Sequence, residues 1–488
     1  MAKRKTLWRG LSALFAFVFT LSCVAGTILE GYKATIDTNL GTQSEKFVSE
    51  NTADDPLYDK FTPSAEVLNA DGTGNSHALI QKAIDLGHKQ AVEGAVLLKN
   101  ENNTLPLASG SNVTLLGIRS HISLLGSSFG VKAKGPYISL EQALSQNKTD
   151  FHNTIAYTLN TNYKTGEVTR ALSLSEWNGD EFEFEGAGFN VNPTMVDVYT
   201  KLNETYQHSE NETPFANYDP QEPSLAEVKA TNPDYEASFA QYGDAAIVVI
   251  SRPTAESKDY LPGSVAEGTG ASEPLELTTN ERDVIETAKK ASDKVIVLIN
   301  TANAVEIGDL KNDPDIDAIL WIGLPGCYGM LGVADILCGR VSPSGAMSDI
   351  YATYNMSAPA MQNMGNFTYT NAEDVVTRAK SQNYIIEAEG IYVGYRYYET
   401  RYADAVNGVG NAASPVGAYA SSTEWNYDNE VTYGFGYGLS YTTFERELQG
   451  QPEFSIDYDD ETGAPSIYAT FNVKVTNTGN VAAKTPVQ

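Results

Sequence analysis

Three uninterrupted apolar runs, Ala245 to Ser251, Lys294 to Asn300 and Asp317 to Ile322, constrain the fold more than any other feature of this chain. A strand with one wet face alternates apolar and polar residues, so a strand written throughout in Val, Ile, Leu and Ala is buried on both faces. Between the first two runs, Leu277 to Lys290 has helical spacing and opens on a capping box, with Thr278 three residues before Glu281. Met330 to Leu337 predicts a helix after the third run. The alternation predicts an α/β fold, a mostly parallel sheet with helices on both faces. Upstream, helical spacing over His77 to Glu93 is followed by short strands at Ala95 to Lys99 and Asn112 to Gly117. Ligands of open parallel sheets sit beyond the carboxyl ends of the strands, which directs attention to the loops beginning at Ser251, Asn300 and Gly323.

The two ends of the chain follow other patterns. Lys3, Arg4, Lys5 and Arg9 precede an uncharged, apolar stretch from Gly10 to Leu29. That is the pattern of an export signal, and its length is about that of a helix crossing a bilayer. Residues 1–30 are expected to be a signal-anchor, with a cleaved signal peptide as the alternative, and the rest is expected outside the cytoplasm, membrane-anchored or secreted. Cys23 is read as part of the apolar helix, because Thr20 stands where a lipoprotein site would place an aliphatic residue. Residues 31–76 carry turn clusters such as Asp54-Asp55-Pro56 without periodicity and read as a polar spacer. After about Glu445, alternation over Phe454 to Tyr458 and Tyr468 to Thr476 predicts the opening of a β-sandwich. A full sandwich takes roughly 100 residues, so 446–488 reads as an incomplete domain.

Charge and composition exclude several classes. With 62 Asp+Glu against 33 Lys+Arg the chain carries a net charge of −29, which argues against a nucleic-acid partner. Cys23, Cys327 and Cys338 show no C-x-x-C spacing, and the 5 His are scattered. No disulfide framework, metal or cofactor is expected.

Four phrases, in order, carry a resemblance. They are Ala91 to Glu101 with Leu105-Pro106-Leu107, then Leu324-Pro325-Gly326 with Pro343-Ser344-Gly345, then Glu389 to Thr400, and Tyr433 to Thr442. Together they resemble glycoside hydrolase family 3, the β-glucosidases, β-xylosidases and their relatives. The resemblance implies that residues 77–445 form the family's C-terminal-type α/β sandwich domain and that 446–488 begin its fibronectin type III-like domain. The family's nucleophilic aspartate belongs to a TIM-type barrel, which usually comes first. Here the sandwich is first, as in members with inverted domain order, so the barrel is expected beyond Gln488 and no residue of this chain is named as nucleophile.

By the same resemblance the general acid/base is a glutamate on a loop after a strand, commonly in a Gly-Glu-Gly-x-Asp-like setting. The matching segment, Ser251 to Asp259, makes Glu256 the candidate acid/base and Asp259 its support, with Ala255 and Ser257 where glycines are frequent. The residues alone agree in placing this loop at the carboxyl end of a buried strand. Glu267 and Glu273 are the rival carboxylates. The implied function is part of a retaining, exo-acting glycosidase on β-linked oligosaccharides or glycosides. The alternative is a non-catalytic, membrane-tethered carbohydrate-binding or scaffold module of the same fold. The aromatic runs Tyr433 to Tyr441 and Tyr392 to Tyr398 are read as structure rather than sugar-stacking surface, the second as a strand.

Overall fold

The computed structural model describes residues 2–32, 76–121, 123, 125, 137–145, 159–161, 168–170, 185–206, 222–252, 260–265, 267–365, 367–371, 383–412, 425–458 and 464–487. Met1–Thr73 and Gly74–Gln488 are two separate units. In the first, helix α1 (Ala2–Gly31) contains a segment, Trp8–Thr27, long and apolar enough to cross a membrane.

The second unit is built on a six-stranded sheet. Its strands are β1 (Val96–Asn100), β2 (Asn112–Leu116), β3 (Asn190–Val191), β4 (Ala245–Arg252), β5 (Val295–Thr301) and β6 (Ala318–Trp321). The spatial order is β1-β6-β5-β4-β2-β3. Every neighbouring pair is parallel except β1 with β6, where Val96 lies opposite Trp321. An antiparallel edge strand on an otherwise parallel sheet is a common finish to such folds.

Each apolar run serves both faces. Val113, Leu115, Ile247, Val249, Ile296, Leu298 and Leu320 pack on one side with side chains of α2 (Ser76–Gly94), α3 (Leu140–Ser145) and α7 (Met330–Leu337). Leu116, Val248, Ile250, Val297, Ile299 and Ile319 pack on the other with α4 (Pro193–Tyr206), α5 (Leu225–Thr231) and α6 (Thr279–Ala291). The chain therefore folds as an α/β sandwich. The α6 capping box forms as its sequence predicts, with Thr278 and Glu281 exchanging hydrogen bonds.

The segment Tyr392 to Tyr398 is not a strand. Helix α8 (Tyr395–Asn407) begins inside it, because Asp349 accepts the Tyr395 N–H at 2.8 Å and Gly394 turns the chain at φ 53°. A Cβ at Gly394 would lie 2.8 Å from the Asp349 carboxylate oxygens, so the position requires glycine. The Tyr433 to Tyr441 run is structural. Tyr433 is buried, and the Tyr437 and Tyr441 hydroxyls donate to the carbonyls of Leu98 and Ile336.

The chain ends in a long antiparallel hairpin, strands Phe444–Tyr458 and Pro465–Asn477. Leu448 opposite Val473 and Ile456 opposite Ile467 lie on one face, and Glu447 opposite Lys474 and Asp457 opposite Ser466 on the other. One apolar and one polar face fit a β-sandwich layer.

Candidate functional site

The sheet's carboxyl edge draws together the three loop origins that the sequence singles out. Ser251 pairs with Asn300 across β4 and β5. The Asn300 Nδ2 donates to the Gly323 carbonyl at 2.6 Å, and the Trp321 indole donates to the Thr301 carbonyl at 2.9 Å. Side chains thus tie the loop starts after β5 and β6 to each other.

The connection β2 to β3 leaves on one side of β2, while β4 lies on its other side, so the sheet's switch point falls between β2 and β4. The chain's own carboxylate fills this place. The buried Glu222 accepts the Ile118 N–H at 3.0 Å, and burial holds its carboxyl well above the usual range. The loops after β4, β5 and β6 all start along this same edge.

The loop after β4 leaves at Arg252, the last strand residue. Arg252 is fully buried and meets Glu281 through both carboxylate oxygens, Nη1 to Oε1 at 2.5 Å and Nη2 to Oε2 at 2.9 Å. Burying an ion pair is costly unless the geometry is good and the remaining donors are satisfied. Both conditions hold, since Nε donates to the Pro274 carbonyl, Nη1 also to the Ser251 carbonyl and Nη2 also to the Glu276 carbonyl. The two ends of the loop are thereby held side by side.

Glu256 and Asp259 lie outside the described residues. The rivals are placed. Glu267 is exposed on a turn, and the half-buried Glu273 accepts the Gly263 N–H at 2.7 Å, a bond that fixes the loop's own path.

Sequence reasoning overlooked a carboxyl group beside this loop. Glu306, after β5, donates its N–H to the Leu275 carbonyl at 2.9 Å and accepts the Asn355 N–H at 2.7 Å. Burial, with like charge from Glu276 and Glu273, pushes its carboxyl up to about 7, poised to exchange a proton near neutrality. The available signal was a charged residue between Val305 and Ile307, both buried. Arg252 was equally legible as a charge ending a wholly apolar run.

Comparisons with known proteins follow the same outline. The model of the Glycosyl hydrolase family 3 C-terminal domain matches residues 95–441. Beta-glucosidase A of Butyrivibrio fibrisolvens is 28% identical over 450 residues, covering 88% of this chain and 43% of that protein. A beta-glucosidase of Ruminococcus albus is 27% identical over 249 residues, 51% of this chain and 20% of its own length. The crystal structure of a beta-glucosidase from Paenibacillus barengoltzii superposes with a TM-score of 0.52 at 25% identity, covering 81% of this chain and 33% of that one. The chain thus spans less than half the length of each of these relatives.

Proposed function

The chain belongs to glycoside hydrolase family 3, and on that premise we propose that it is part of a retaining, exo-acting glycosidase that releases terminal β-linked sugars, β-glucosides foremost. The observation that carries this reading is the built base of the loop after β4, where Arg252 and Glu281 fix both loop ends at the carboxyl edge of the sheet. On this loop Glu256 serves as general acid/base, with Asp259 in support. The nucleophilic carboxylate comes from a TIM-type barrel domain outside these 488 residues.

The division of labour follows from the chemistry of retention. As the barrel's carboxylate attacks the anomeric carbon, Glu256 gives its proton to the departing glycosidic oxygen, leaving a covalent glycosyl-enzyme. Water then attacks that ester while the Glu256 carboxylate takes its proton, which restores both groups. The two carboxyl groups must stand roughly 5 to 5.5 Å apart, so the acid/base loop has to be held firmly against a separate domain.

We assign residues 77–445 to the sandwich domain and 446–488 to the opening of a fibronectin type III-like domain. Residues 1–30 direct export, which places the enzyme outside the cytoplasm with its anchor in the membrane. The test is the leaving-group dependence of Glu256→Ala in the presence of the barrel. The variant should lose roughly 10²- to 10⁴-fold on alkyl glucosides and far less on activated aryl glucosides, since only the poor leaving groups need a proton. Equal losses on both would count against Glu256.

A further inference from the structure

We propose that Arg252 and Glu281 form a positioning clamp for the acid/base loop, setting where that loop stands without touching substrate; this rests on the reading of Glu256 given above. A guanidinium has five N–H donors in a rigid fork, and in Arg252 each one is used. They go to the carbonyls of Ser251, Pro274 and Glu276 and to the two oxygens of Glu281. Ser251 precedes the loop, whereas Pro274 and Glu276 belong to its return. One side chain therefore measures the gap between departure and return.

Glu281 extends the clamp to the helix. Its Oε2 also accepts the Thr278 N–H at 2.8 Å, completing the α6 capping box. The loop's return is locked to the same helix end, because the Thr279 N–H donates to the Thr269 carbonyl at 2.8 Å. Gly270 fits against Thr279 only because it lacks a side chain, since a Cβ there would lie 2.1 Å from the Thr279 Oγ1. Inside the return, Glu276 accepts the Ser272 N–H at 2.8 Å. Strand, loop return and helix thus share one buried charge pair. A lysine at 252 carries three donors on a point charge and cannot span these acceptors.

The test combines a measurement on the unaltered protein with kinetics of variants. In the unaltered chain, hydrogen exchange should protect the amides of Glu276, Thr278 and Thr279 as strongly as those of β4; exchange at the rate of an ordinary surface loop would overturn the clamp. In the full-length enzyme, Arg252→Lys should lower kcat/KM on alkyl glucosides by about 10- to 100-fold, because a misplaced acid slows the bond-breaking step that this ratio reports. Activated aryl glucosides should lose much less. Glu281→Gln, which keeps the helix cap but removes the charge, should shift the same ratio. Ser224→Ala, which weakens the equivalent capping box of α5 and bonds neither Arg252 nor Glu281, should leave the ratio of the two substrates as it is. A folded Arg252→Lys with the unaltered leaving-group dependence, while Glu256→Ala shows the strong one, sinks the clamp alone. If Glu256→Ala itself shows no such dependence, the acid/base assignment is what fails. Should both clamp variants fail to fold, the exchange measurement decides.

Discussion

Glu306 and Asn355 face each other across the edge of the site, the Asn355 N–H donating to the Glu306 carboxylate at 2.7 Å. Burial and the nearby Glu276 and Glu273 raise this carboxyl from its usual 4.5 to about 7. Between those values the folded chain holds a proton that the unfolded chain has released. The stability from this group is therefore full below about pH 4.5 and is lost as pH rises to about 7, a change on the order of 2 kcal/mol. Glu306→Gln keeps an acceptor for Asn355 and should flatten that slope. Urea midpoints at pH 4.5 and 7.5 check this, and equal slopes for both proteins would contradict it.

Two glycines in packed helices should respond in opposite ways to the same substitution. Gly332 of α7 lies against α2, where a Cβ would come 2.7 Å from the His88 carbonyl and 3.0 Å from the Ala91 Cβ. Gly332→Ala should cost about 1–3 kcal/mol, because the neighbour is backbone and has nowhere to move. A Cβ at Gly87, inside α2, would meet only Tyr328, its Cβ at 3.4 Å and its ring Cδ2 at 3.8 Å, both ordinary contacts. Gly87→Ala should stabilise by about 0.5–1 kcal/mol through helix propensity. Chemical denaturation of the pair gives both signs at once.

Export makes a separate prediction. With Trp8–Thr27 acting as an uncleaved anchor, the protein should sediment with membranes and keep its N-terminus. Recovery from culture fluid with a new N-terminus after about residue 25 would replace the anchor with a cleaved signal.

The 488 residues alone should show no measurable glycosidase turnover, since covalent catalysis needs a nucleophile assigned to the barrel. Hydrolysis of an aryl β-glucoside above that of a Glu256→Ala control would refute this division. Sugar binding without turnover, even when the barrel is supplied, would favour a carbohydrate-binding module.

What was legible in the sequence follows from what each residue depends on. Ala245 to Ile250 and Val295 to Ile299 announce themselves because burial on both faces leaves no polar position within them. Asn190 and Val191 form a two-residue edge strand, too short to show any period. The Tyr392 to Tyr398 segment spaces aromatic and polar residues as a strand would, while its helix is started by Asp349, far off in the chain. The burial of Arg252 depends likewise on the Pro274 and Glu276 carbonyls and on Glu281, none of them adjacent. Glu256 and Asp259 came from the resemblance and from their place after a buried strand.

The most direct measurement of the central claim is azide rescue of Glu256→Ala, with the barrel present and an activated aryl glucoside as substrate. The glycosyl-enzyme should still form, and its breakdown should become limiting because water lacks a base. Azide needs no base, so it should restore turnover and yield a glycosyl azide of retained configuration. Glu267→Ala and Glu273→Ala should show no rescue. Rescue at either of those positions, with Glu256→Ala near the unaltered enzyme, would contradict the account and move the acid/base along the loop.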